Sequence, residues 1–129
     1  MKTISTSNAP AAIGPYSQAK ISGSLLFTAG QIPLDVQTGE IRGDTIEEQT
    51  ELVMQNLAAI LQAAGCSWNN VVKTTVFLAD LADFAKMNSV YEKYLGTVKP
   101  ARSTVQVAAL PRGAKVEIEL IAETGEIIF

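Results

Sequence analysis

From Lys115 to Leu120 the chain reads Lys-Val-Glu-Ile-Glu-Leu, with apolar and acidic residues in strict alternation. Successive side chains of a β-strand point to opposite faces of its sheet, so Val116, Ile118 and Leu120 share one face and Glu117 and Glu119 the other. A sheet built on this strand has one face that must be covered and one that carries acid. The rest of the chain is constrained to supply the cover.

Two segments do so. Residues 45–64 place Ile46, Val53, Leu57, Ile60, Leu61 and Ala64 at helical spacing on one side, with Asp44 and Glu47 as a capping-box-like start and Gly65 as the stop. A second helix starts at Asp80-Leu81-Ala82-Asp83, puts Phe84, Met87, Tyr91 and Tyr94 or Leu95 on one face, and ends at Gly96. Between them Val71 to Leu78 is rich in Val, Phe, Leu and Thr and reads as a central strand. Ahead of the first helix, residues 17–21 and 25–29 read as a hairpin through Ser22-Gly23-Ser24, preceded by a proline-containing loop that closes on Tyr16. Residues 103–109 and 115–123 are two further strands joined by a turn at Pro111 and Gly113. The apolar tail from Thr124 to Phe129 reads either as an edge strand or as a segment that docks on a neighbour. This order gives an α+β fold: a mixed β-sheet with two helices on one face, one domain spanning residues 1–129.

The bare face needs a partner. Only 18% of residues are charged against 47% hydrophobic, so covering that face with further copies of the chain, in a closed ring with clefts between subunits, is expected. The net charge of −3 and the lack of any basic run argue against nucleic acid as a partner. No apolar run approaches the length of a membrane span, and the start lacks a secretory pattern, so a cytoplasmic protein without membrane association is expected. Cys66 is the one cysteine, which excludes an internal disulfide and a thiolate cluster. There is no histidine, so Ser-His and Cys-His nucleophiles and histidine metal ligands are excluded as well.

Chemistry must therefore rest on Arg, Glu, Asp, Tyr, hydroxyls, backbone groups and water, with no cofactor and no metal expected. Arg102 follows Pro100 at the start of a strand, where it is either an exposed charge or an anion receptor whose planar fork grips a carboxylate. Glu117 is either a proton-handling group or an interface carboxylate paired with a cation, and Glu119 on the same face can exchange roles with it. Tyr16 either borders a pocket or anchors its loop.

Five stretches taken together carry a resemblance. Residues 8–18 (Asn-Ala-Pro-Ala-Ala-Ile-Gly-Pro-Tyr-Ser-Gln), 29–33 (Ala-Gly-Gln-Ile-Pro), 72–77 (Val-Lys-Thr-Thr-Val-Phe), 100–103 (Pro-Ala-Arg-Ser) and 116–119 (Val-Glu-Ile-Glu) resemble, in order and nearly end to end, the RidA/YjgF/YER057c/UK114 family of reactive-intermediate deaminases. The resemblance implies a chorismate-mutase-like fold, a homotrimer with sites between subunits, and hydrolysis of small-molecule 2-iminoacids and their enamines, such as 2-iminobutanoate and 2-iminopropanoate, to 2-oxoacids and ammonia. It implies catalytic roles for Arg102 as carboxylate holder, Glu117 as water anchor or proton relay, and Tyr16 at the pocket border. Arg102, Gly30, Ala29, Thr104 and Asn88 form the implied substrate-binding set. Many members have Ser where this chain has Ala29 and Cys where it has Thr104. A pocket that binds a 2-oxoacid without turnover, and a regulatory or chaperone-like role, are the alternative readings.

Overall fold

The computed structural model describes residues 1–128, with side chains through residue 125. Strand β1 (Lys2–Ile4) and strand β2 (Ala19–Thr28) are followed by helix α1 (Ile46–Ala63), β3 (Val71–Leu78), α2 (Phe84–Leu95), β4 (Ala101–Gln106) and β5 (Val116–Ile128). The sheet order is β1-β2-β5-β3-β4. Only β3 and β4 run parallel, joined by the α2 crossover, and every other pair is antiparallel. The expected mixed sheet with two helices on one face is what forms.

The alternation in β5 decides which face that is. Val116, Ile118, Leu120 and Ala122 are almost fully buried, in one cluster with Val76 and Leu78 of β3, Val53, Met54, Leu57, Ile60 and Leu61 of α1, and Met87 and Leu95 of α2. The opposite face carries Glu117 and Glu119, with Phe77 of β3 across from Glu117 on one side and Val105 on the other. Phe27 of β2 lies across from Ile121 there. Leu25, Phe27 and Val105 stay exposed, leaving a bare face that is apolar at its margins.

Five expectations are corrected. The hairpin at Ser22-Gly23-Ser24 is instead one continuous strand, β2, whose register shifts between Gly23 and Leu25. Gly23 takes its positive φ of 61° for a bulge rather than a turn. The strand is continuous because its first part pairs with β1, as at Ile21, and its later part with β5, as at Leu26. The cap of α1 is Thr45 rather than Asp44: its hydroxyl accepts the Glu48 backbone N–H at 3.1 Å and donates to the Glu48 carboxylate at 3.1 Å. The second helix begins with a 3₁₀ turn at Leu81–Asp83 capped by Asp80, and α2 proper starts at Phe84. The tail does not form a separate edge: through residue 128 it prolongs β5 against β2, and Phe129 lies outside the described residues. The strand after Pro100 also starts and stops earlier than its composition suggests, at Ala101 and Gln106.

Gly96, expected as the helix stop, does follow Leu95 at the end of α2, and it has ordinary helical angles there. A Cβ there would sit 2.6 Å from the Glu92 carbonyl oxygen, so close packing selects glycine. The left-handed turn falls on Lys99 instead, at φ 53° and with its N–H on the Leu95 carbonyl, and it delivers the chain into Pro100 and β4.

The Thr45 cap satisfies an orphan donor at the start of the longest helix. Thr45→Ala is expected to cost about 1 kcal/mol, read in urea as a lower midpoint at an unchanged slope.

Candidate active site

The candidate residues gather in two places. In the first, residues 29–33 cross the end of β5, and Gln31 forms a two-way bridge with Ile118, donating to its carbonyl at 2.9 Å and accepting its N–H at 3.1 Å. This bridge sets Gly30 against Glu117 so closely that a Cβ on Gly30 would meet the Glu117 Oε2 at 2.7 Å. The missing side chain leaves the room that the carboxylate occupies. Tyr16, Ala29, Gly30 and Glu117 line one cleft of about 350 Å³, with Ile13 and Pro111 in its wall.

The loop bearing Tyr16 is organised by Gln18, which is buried. Its Oε1 accepts from the Thr6 N–H at 2.7 Å, and its Nε2 donates to the carbonyls of Thr6, Ala9 and Pro10. Tyr16 itself is exposed, and its hydroxyl accepts a long 3.5 Å bond from the Ile13 N–H. Burial pushes the Glu117 carboxyl above the usual carboxylate range, and the neighbouring Glu119 charge adds to the effect. Among the described residues, no cation pairs with either glutamate.

Arg102 anchors the second place. It lies on β4 directly across from Thr74 of β3, on the helix side of the sheet. Its guanidinium donates to the Asn88 Oδ1 at 2.6 Å and sits 4.7 Å from the Tyr91 ring centre and 5.4 Å from that of Phe84. Asn88 is its one hydrogen-bond partner among the described residues and no carboxylate pairs with it, so most of the fork is available to an anion. Asn88, Tyr91, Lys99, Pro100 and Arg102 line a cavity of about 390 Å³. Thr104 follows on the same face, and its buried hydroxyl has no partner among the described residues.

The structure thus unites Tyr16, Ala29, Gly30 and Glu117, and separately Arg102 and Asn88 with Thr104 beside them. It does not unite the two groups. Glu117 is on the bare face of β5, whereas Arg102 is on the helix face of edge strand β4 with β3 between them. Gln18, Thr74, Phe84 and Tyr91 were not singled out from the sequence for what they do here. Gln18 and Thr74 lie in quoted stretches and Phe84 and Tyr91 on the expected helix face, but neither a stretch nor a period tells which contacts a buried amide, a buried hydroxyl and two rings make.

Among the described residues, no group of three or more His, Cys, Asp or Glu could hold a metal ion, and no helix is long and apolar enough to cross a membrane. Burial raises the Cys66 thiol, which weakens it as a nucleophile.

A family model described as Endoribonuclease L-PSP matches residues 6–124. The chain belongs to this family. Its members among similar proteins carry the RidA and reactive-intermediate-deaminase names. One relative, the 2-iminobutanoate/2-iminopropanoate deaminase of Mus musculus, is 50% identical over 127 residues, covering 98% of this chain and 94% of the mouse protein. The crystal structure of RidA from the Antarctic bacterium Psychrobacter sp. PAMC 21119 matches with a TM-score of 0.91 at 48% identity, over 95% of this chain and 99% of that one. E. coli TdcF with bound serine matches with a TM-score of 0.89 at 48% identity, over 95% of this chain and 98% of that one. As a Rid family member the chain shares the α+β fold of these structures.

A carboxyl with a raised folded-state value binds its proton more tightly in the folded than in the unfolded chain. It therefore subtracts stability as pH climbs from the ordinary carboxylate value through the raised one. Glu117→Gln is expected to raise the melting temperature at neutral pH, with the difference vanishing below the ordinary carboxylate range. Equal melting curves for the two proteins at pH 7 would contradict the burial of this carboxylate.

Proposed function

We propose that this Rid family member is a cytoplasmic 2-iminoacid deaminase, a homotrimer whose sites form where the Glu117 cleft of one subunit meets the Arg102 cavity of the next. The observation that carries this reading is that an unpaired arginine and an unpaired, partly buried glutamate lie on opposite faces of one sheet, so that neither half is a site alone. The bare, apolar-margined sheet face supports assembly with further copies. The activity named for the mouse relative supports the reaction.

The chemistry suits these groups. The protonated imine carbon is already electrophilic, so the protein has to hold the carboxylate, orient one water and move protons. Arg102 grips the carboxylate through its free N–H groups. Glu117, whose carboxyl is shifted upward by burial and by Glu119, takes a proton from the water as it adds to the imine carbon and returns it to the nitrogen. The N-protonated carbinolamine then gives its hydroxyl proton to the Glu117 carboxylate as the C–N bond breaks, releasing 2-oxoacid and ammonia, and the ammonia carries that proton away as ammonium. Tyr16 supplies a hydroxyl at the border, and backbone groups near Gly30 and Thr104 complete the polar lining. An RNA substrate has less support, since the chain has a net charge of −3 and no histidine. The departures at Ala29 and Thr104 favour one second reading, a pocket that holds a 2-oxoacid without turning over an imine.

The test couples the purified protein to a threonine dehydratase and follows 2-oxobutanoate release. Acceleration over the spontaneous rate is expected, with Arg102→Ala and Arg102→Lys each losing at least about thirtyfold, since a hydrogen bond to a charged group is worth roughly 2 kcal/mol. Folded protein that binds 2-oxobutanoate without accelerating release would leave the non-catalytic reading. A mixture in equal amounts of the individually inactive Arg102→Ala and Glu117→Gln chains, refolded together, is expected to regain about a quarter of the sites, as random assembly of a cyclic trimer dictates. No recovery in a demonstrably mixed oligomer would reject the split site.

A further inference from the structure

We infer that Tyr91, locked by Thr74 and assisted by Phe84, is a positioning residue that presents Arg102 to its ligand without neutralising it. This inference rests on Arg102 being the carboxylate receptor proposed above. A guanidinium at the end of a long side chain on an edge strand loses considerable rotamer freedom when fixed, so something must hold it. An acidic partner would hold it well and would also occupy the fork a substrate carboxylate needs.

Here the holding is done by ring faces. The Arg102 Cζ lies 4.7 Å from the centre of the Tyr91 ring and 5.4 Å from that of Phe84, and such faces attract a cation while leaving its N–H edge open. Among the described residues lining the Arg102 cavity, the one acid, Glu92, is kept at a remove by an amide. Asn88 accepts from Arg102 at 2.6 Å through Oδ1 and donates to Glu92 Oε1 at 3.1 Å through Nδ2. Glu92 therefore fixes Asn88, and Asn88 fixes one N–H of Arg102.

The Tyr91 ring is fixed in turn from below. Its hydroxyl and that of Thr74 lie 2.7 Å apart, with Thr74 1% and Tyr91 5% exposed. Thr74 is also the direct strand partner of Arg102 in the parallel β3–β4 pair. The lock and the arginine thus rise from neighbouring points on the same side of the sheet, and the ring spans the distance between them. A buried Thr-Tyr pair at this register has no need to be polar for packing alone, because Val and Phe would fill the same volume.

The test measures 2-oxobutanoate binding by calorimetry alongside turnover in the coupled assay, so that it reads the pocket whether or not imines are hydrolysed. Thr74→Val and Tyr91→Phe are each expected to weaken binding and raise KM about fivefold with little change in kcat, because a mispositioned receptor loses ground state and transition state alike. Combining the two should cost no more than either alone, since they break the same hydrogen bond. Phe84→Leu, at an exposed position that tolerates change, should weaken binding about threefold through the lost ring face. In an Arg102→Ala background all three should have no further effect.

If Arg102→Ala binds 2-oxobutanoate as the unaltered protein does, the arginine is not the receptor, and both this inference and the role proposed for Arg102 fall. If Arg102→Ala loses binding while Tyr91→Phe, Thr74→Val and Phe84→Leu keep it, the positioning inference alone is overturned. Equal losses with and without Arg102 overturn it too, by showing that these residues act on the fold in general.

Discussion

The side chains of β5 alternate between two environments of opposite polarity, and this strand lies in the middle of the sheet, where both of its neighbours inherit the choice. Val116, Ile118, Leu120 and Ala122 are sealed under the helices. Glu117 and Glu119 can then only face the other way, and a slip of one residue would bury two carboxylates in the core at prohibitive cost. Pairing passes the same assignment to β3, where Val76 faces the helices with Ile118 and Phe77 faces outward with Glu117. From β3 it passes to β4, where Arg102 is aligned with Thr74 and so is turned toward α2. The placing of the candidate arginine on one face and the candidate glutamate on the other thus traces to one two-residue period.

Much of the architecture is written locally and could be read locally. The period of β5, the apolar stripe of α1 and the composition of Val71 to Leu78 each report on the environment of their own residues, and the sheet with two helices on one face follows from them. What could not be read depends on partners distant in the chain. Gly23 permits a turn or a bulge equally well, and the choice of a bulge comes from β1 and β5 pairing on either side of β2. Asp44 and Thr45 are both good caps, and the backbone angles at Thr45 decide between them. The left-handed turn after α2 falls on Lys99 rather than on a glycine, while Gly96 stands where the Glu92 carbonyl approaches.

The candidate site divides along the same line. Glu117 and Gly30 are recognisable as residue types, but their mutual fit depends on the Gln31–Ile118 bridge, which joins positions far apart in sequence. The support of Arg102 was invisible for a different reason. Thr74, Phe84 and Tyr91 fall at positions where a strand and a helix bury such side chains routinely, and only their convergence on one guanidinium distinguishes them. The separation of Arg102 from Glu117 depends on the register between β3 and β4, which pairs Arg102 with Thr74.

That separation has an electrostatic consequence for the proposed reaction. Had one chain brought Arg102 within contact of Glu117, each would have satisfied the other: the cation would lower the carboxyl value and the carboxylate would fill the fork. Instead the glutamate is held by burial and by Glu119 in a state inclined to keep a proton, and the arginine is held by ring faces that leave its charge uncompensated. Two groups with opposite needs are thus kept ready by distance within the subunit. In the assembly proposed here, the gap between them across a subunit boundary is filled by a small molecule whose carboxylate meets the arginine and whose imine carbon meets the water at the glutamate. The substrate then supplies the neutralising contact that each half lacks, so binding energy is realised only when both halves and the ligand come together.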